Sequence, residues 1–120
     1  MGEVTSHRDL VVWQKAMDLA TLVYRISAGF PRMEVYGLTA QLRRAVVSVP
    51  ANIAEGSVRG STRDYAHFLG IAKGSLMETE TLLMLSTRLE YLSDVDATPA
   101  LSLIGEVSKM LTAMRAKLSR

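Results

Sequence analysis

Residues 38–56 constrain this chain more than any other stretch, because their helical pattern is apolar on two opposite faces. At about 100° per residue, Leu38, Leu42, Ala45, Val46, Val49 and Ile53 share one side, an ordinary core stripe. Val47, Ala51 and Ala54 point the other way, with Pro50 beside them. A narrow polar stripe of Gln41, Arg44, Ser48, Asn52 and Glu55 runs between the two. Such a helix must be covered twice, and 120 residues leave few spare elements for the second cover. The expected cover is another copy of the chain, which makes Val47, Pro50, Ala51 and Ala54 candidate interface positions. A hydrophobic content of 48% and a mean hydropathy of +0.15 fit a surface shared between copies.

The rest of the chain supplies three more helical patterns and little strand signal. The first spans about 12–28, with Asp9 as a candidate cap and a stripe of Trp13, Ala16, Met17, Ala20, Val23 and Tyr24. Pro31 closes it by turning Phe30 away from helical geometry. The second runs over about 36–56. Pro50 costs ~3 kcal/mol inside a regular helix, but the apolar period continues in phase, which predicts a kink without a break. The freed Val46 carbonyl is then expected to find water, Ser48 or Asn52. The third spans about 62–92, capped by Ser61 or Thr62, with Tyr65, Phe68, Ala72, Leu76, Leu82 and Leu83 inward and Ile71, Leu85 and Leu89 widening the stripe. Gly70 and Gly74 share another face, where missing side chains allow either close approach of a neighbour or local softening; they join the candidate interface. A connection over 93–99 leads to the fourth helix, about 99–117. The prediction is an all-α, up-down-up-down four-helix bundle occupying 1–120 as one domain.

Several functions are excluded by what is missing. Without cysteine there is no disulfide, thiolate nucleophile or cysteine-based metal site, which fits a reducing cytoplasm. The polar start, Met1–Leu10, does not read as a secretory leader. Met1–Ser6 fits the short, common pattern for N-terminal acylation and is read as coincidence. No uncharged apolar run approaches the ~20 residues needed to cross a bilayer, so no membrane partner is expected. There are two histidines, no phosphate-binding glycine loop and no nucleophile elbow. Asp64-x-x-His67 occurs once, where a di-iron bundle needs the pattern twice. The reading is a non-enzyme with no cofactor and no metal.

Charge distribution says more than the net +2. One basic segment, 43–73, carries Arg43, Arg44, Arg59, Arg63 and Lys73; a second, near the C-terminus, carries Lys109, Arg115, Lys117 and Arg120. An acidic block with Glu78, Glu80, Glu90, Asp94 and Asp96 separates them. Arg59 and Arg63 flank a helix N-terminus, whose free amides already favour anions. Arg43, Arg59, Arg63, Lys109, Arg115 and Lys117 are therefore candidate contacts to RNA or DNA, and an oligomer would multiply them. The alternative is a scaffold docking a partner protein, its charges setting orientation. The polar stripe of Arg44, Ser48, Asn52 and Glu55 reads as a seam between helices in preference to a ligand pocket, with Glu78 and Glu80 as partners for Arg44.

An ordered set of motifs carries a family resemblance. Asp9-Leu-Val-Val-Trp-Gln-Lys-Ala16, Phe30-Pro31, Glu34 with Tyr36-Gly37-Leu38, Gln41-Leu-Arg-Arg-Ala45 and Ser48-Val-Pro-Ala-Asn-Ile-Ala-Glu-Gly56 are followed by Phe68-Leu69, Ile71-Ala72, Gly74-Ser-Leu76, Glu78 and Glu80-Thr81. Together they resemble the four-helix-bundle proteins first noticed in intervening sequences of bacterial 23S ribosomal RNA genes. The likeness covers roughly residues 9–92; the last helix shares only its general character. The resemblance implies a bacterial cytosolic protein assembled as a homopentameric ring. Related accessory proteins of diversity-generating retroelements share that architecture and contact nucleic acid and a reverse transcriptase. It implies no catalytic residue.

Overall fold

The computed structural model describes residues 6–119 as four helices and two short 3-10 turns, with no strand among them. The helices are α1 (Val11–Ser27), α2 (Leu38–Ser57), α3 (Thr62–Arg88) and α4 (Asp94–Leu118). The acylation pattern at Met1–Ser6 falls, but for Ser6, outside the described residues, as does Arg120.

Side-chain pairs fix the direction of each neighbour. Arg43, early in α2, bonds to Ser27 and the Tyr24 carbonyl late in α1. Ser48 pairs with Ser75, and Gln41 with Glu78, so α3 runs back along α2. Lys73 bonds Thr112 across α3 and α4, and Lys15–Glu106 closes α4 onto α1 at 3.0 Å. Each helix thus packs on its neighbours in chain order, and α4 returns to α1, the up-and-down arrangement expected of short connections. The inward stripe of α2 is buried as its period predicts, with Leu42, Val46, Val49 and Ile53 wholly enclosed.

Local chemistry moves several boundaries. Asp9 is not the cap of α1; it lies in a 3-10 turn, His7–Asp9, that Ser6 caps by accepting from the Arg8 amide. The buried stripe of α1 is Val12, Ala16, Leu19, Ala20 and Val23, one step round from the expected one, leaving Met17 and Tyr24 exposed. α2 starts at Leu38, where the Glu34 carboxylate accepts the free amide at 3.1 Å. It runs without interruption through Pro50. Asn52 donates to the Ser48 carbonyl and hydroxyl rather than to the Val46 carbonyl. Pro50 itself is buried within its own chain, so it does not share the outward face of Val47 and Ala51.

α3 stops sooner than its apolar period predicts. Glu90 adopts φ 63, and the amides of Glu90 and Tyr91 return to the carbonyls of Thr87 and Ser86, a Schellman ending. Conversely, α4 starts sooner. Ser93 accepts from the Asp96 amide, with Asp94 and Asp96 in the favourable first turn. The stretch expected to be a connection is therefore the first turns of α4, and Pro99 sits inside the helix. Ile71, Leu85 and Leu89 do not widen the buried stripe of α3; all three are exposed.

Two glycines have opposite surroundings. A Cβ on Gly56 would stand 2.8 Å from the Phe68 Cβ and 3.3 Å from the Tyr65 carbonyl, so only glycine lets α3 cross the end of α2 this closely. A Cβ on Gly70 would stand 3.2 Å from the Arg115 guanidinium of its own chain, which takes this position out of the free surface, whereas one on Gly74 would meet nothing within 4 Å.

Candidate nucleic-acid interface

Because α3 and α4 are antiparallel, the α3 part of the first basic segment and the basic segment of α4 lie in the same half of the bundle. Lys73 donates to Thr112 at 2.7 Å, and Arg115 lies across Gly70, so the first half of α3 is bound to the last half of α4. Arg63, at the start of α3, and Lys109 and Lys117, on α4, are exposed. Among the described residues, the charged groups of Arg63, Lys109, Arg115 and Lys117 have no ion-pair partner. All four residues are exposed to solvent, and unpaired exposed cations are what a phosphate backbone needs.

Two of the six candidate contacts have other work. Arg43 sits in the opposite half of the bundle, where it donates to Ser27 Oγ at 2.9 Å and to the Tyr24 carbonyl at 3.1 Å. Its guanidinium also stacks 4.6 Å from the Tyr24 ring centroid. That set of contacts ties α2 to α1 and leaves it apart from the basic end. Arg59 does lie at the basic end, but it pairs with Glu55 at 2.7 Å and covers the Phe68 ring at 4.8 Å. Its charge is largely cancelled locally, and Glu55 is thereby not reaching toward another helix. The turn between Arg59 and Arg63 is a capped helix start: Ser61 Oγ accepts from the Asp64 amide at 3.1 Å.

The polar stripe divides in the same way. Ser48 Oγ accepts from Asn52 and bonds Ser75, joining α2 to α3, and Glu78 takes a long 3.5 Å contact from Gln41. Gln41, Arg44, Ala45, Ser48, Ser75 and Glu78 line an open polar cleft of roughly 440 Å³. Arg44 and Glu78 share that cleft but are not within ion-pair distance, so the expected Arg44–Glu78 bridge is not formed, nor is one to Glu80. Arg44 has no hydrogen bond or ion pair among the described residues. No group of three His, Asp or Glu residues that could hold a metal lies among them; the His67 ring rests edge-on against Phe68, centroids 5.5 Å apart.

The opposite end is closed by interactions that no motif signalled. Glu34 Oε1 accepts from the Leu38 amide while Oε2 accepts from the Tyr91 hydroxyl at 2.9 Å. That carboxylate, by hydrogen bond and charge, raises the Tyr91 phenol above its ordinary pKa, burial adding to the effect. Burial alone raises Tyr65 at the other end. Phe30 and Tyr91 rings pack 5.9 Å apart. Beside this locked corner, Met33 is 80% and Tyr36 94% exposed.

Comparison with known proteins gives a consistent result. The family model for the 23S rRNA-intervening sequence protein matches residues 8–113, which takes in most of α4 as well. A crystal structure at 1.70 Å of a protein of unknown function from the S23 ribosomal protein family of Bacteroides thetaiotaomicron superposes with a TM-score of 0.79. It is 26% identical and covers 88% of this chain and 98% of that chain. No curated protein matches. No helix among the described residues is long and apolar enough to cross a membrane.

Proposed function

The chain belongs to the 23S rRNA-intervening sequence protein family, and from that premise we propose that it is a non-enzymatic, cytoplasmic bundle that self-associates, as a pentamer in the family's manner, and binds structured RNA or DNA through its basic end. The observation that carries this reading is that Arg63 at the start of α3 and Lys109, Arg115 and Lys117 in the last half of α4 have no carboxylate partner among the described residues. Four such cations per subunit, repeated around an assembly, give a multivalent surface whose attraction is to phosphate and independent of sequence.

Binding to a labelled RNA hairpin and to a DNA duplex, measured from about 50 to 200 mM salt, tests it. Affinity is expected to fall at least 10-fold over that range, with a shallower slope when Lys109, Arg115 and Lys117 are changed to glutamine. Absence of binding to either nucleic acid at the lowest salt removes the reading. One observation favours a second role, docking of a partner protein: Met33, Val35 and Tyr36 present exposed apolar surface on a loop held in place by Glu34. A protein that remains bound through nuclease treatment, and is released by Tyr36→Ala, supports that role.

A further inference from the structure

A small pocket forms where the end of α1, the 28–37 connection and the start of α2 meet. It has a volume of roughly 260 Å³, and its lining includes Ser27, Phe30, Arg32, Val35, Thr39 and Arg43. No carboxylate lines it. Arg43 is fixed there by bonds to Ser27 Oγ and the Tyr24 carbonyl, both neutral oxygens, so its positive charge is not cancelled. Arg32 is exposed, and its guanidinium has no hydrogen bond or ion pair among the described residues.

Thr39 is the informative side chain. It is only 7% exposed, yet its hydroxyl makes no hydrogen bond among the described residues. Every fully covered side-chain nitrogen or oxygen among them does have a partner, so the Thr39 oxygen is open to the pocket that this residue lines. Buried hydroxyls are as a rule hydrogen-bonded, and this one waits in a pocket that two arginines share. Thr39 also stands in the first turn of α2, where backbone amides lack intrahelical acceptors and favour negative charge.

We infer that this pocket binds a small organic carboxylate. The Arg32 guanidinium and the Thr39 hydroxyl hold its head, Arg43 adds charge, and Phe30 and Val35 take its apolar body. A singly charged head suits the site better than a phosphate. The Glu34 carboxylate already caps the same helix start, and it repels a doubly charged ligand more strongly. The site lies in the half of the bundle away from Lys73 and Thr112, and it does not depend on the nucleic-acid reading.

Ligand-observed NMR on the full chain, with benzoate as the probe, tests this. Saturation transfer to benzoate is expected. In competition, benzamide, which lacks the charge, and formate, which lacks the apolar body, are each expected to bind at least about 10-fold more weakly. Arg32→Gln and Thr39→Val are each expected to weaken benzoate about 10-fold, the loss of one hydrogen bond to a charged group. Arg32 is exposed and Thr39 gives up no internal bond, so both variants are expected to fold, which circular dichroism checks. Lys109→Gln, in the other half, is expected to leave benzoate binding unchanged. No transfer to benzoate, benzamide binding as tightly, or benzoate affinity retained in both pocket variants overturns the site. Inorganic phosphate that displaces benzoate at lower concentration than benzoate itself requires overturns the carboxylate assignment.

Discussion

The two ends of the bundle are built on opposite plans. At one, the 28–37 and 89–93 connections are locked together: Glu34 caps α2 and takes the Tyr91 hydroxyl, Phe30 packs on Tyr91, and a Schellman turn closes α3. At the other, α2 and α3 meet through a glycine contact with little hydrogen bonding, and cations without partners face solvent. The difference teaches how to read charge in this protein. Where a charged group has a fixed partner, as Glu34, Arg43 and Arg59 do, it holds architecture; where it has none, it is available to something outside the chain.

The comparison can be broken first at its tightest contact. Gly56→Val is expected to cost about 3 kcal/mol, because the new side chain meets the Phe68 Cβ and Tyr65 backbone. Urea denaturation measures it, and a loss below about 1 kcal/mol would mean that the two helices separate easily there. At the locked end, Glu34→Ala removes acceptors from two donors at once and is expected to cost about 2 kcal/mol. The same bond has a pH signature. Since the folded pKa of Tyr91 is raised, folding holds that proton more tightly, and stability is full below the ordinary phenol pKa of 10.0 and declines as pH rises past it. Tyr91→Phe is expected to flatten that part of the alkaline decline, read by thermal melts at a series of pH values.

A smaller effect of opposite sign comes from the end of α3. Glu90→Gly relieves a left-handed backbone at a non-glycine residue and is expected to add about 1 kcal/mol. Smallest of all is the stability change at the basic end. Neutralising Arg63, Lys109 and Lys117 together is expected to move stability by less than about 0.5 kcal/mol, since none of the three has an ion-pair partner to lose. A large loss on chemical denaturation would show that these side chains hold the fold and would sharpen the contrast in the other direction.

Much of the fold was legible because hydrophobic period is a local property. The inward stripe of α2, four helices, their alternating direction and the family motifs all follow from residues close in sequence. Local caps were harder. The end of α3 was missed because apolar residues continue to Leu92 after Glu90 has already turned the backbone. The start of α4 was missed because Ser93 and two aspartates beside a proline read equally well as a loop. Gly56 carried no signal of close approach, since the side chains it admits lie on the next helix.

By itself, the sequence determined which residues must be hidden and which are charged, because both depend on residue type and spacing along one helix. Only the tertiary structure decided which charges are spent. It gave Arg43 to Ser27 and Tyr24, Arg59 to Glu55 and Glu34 to Tyr91, and it brought Lys73 to Thr112 of α4. The reason is distance: a side chain is paired or left free by what comes within a few ångströms of it, and for most of these residues that neighbour arrives from another helix or turn.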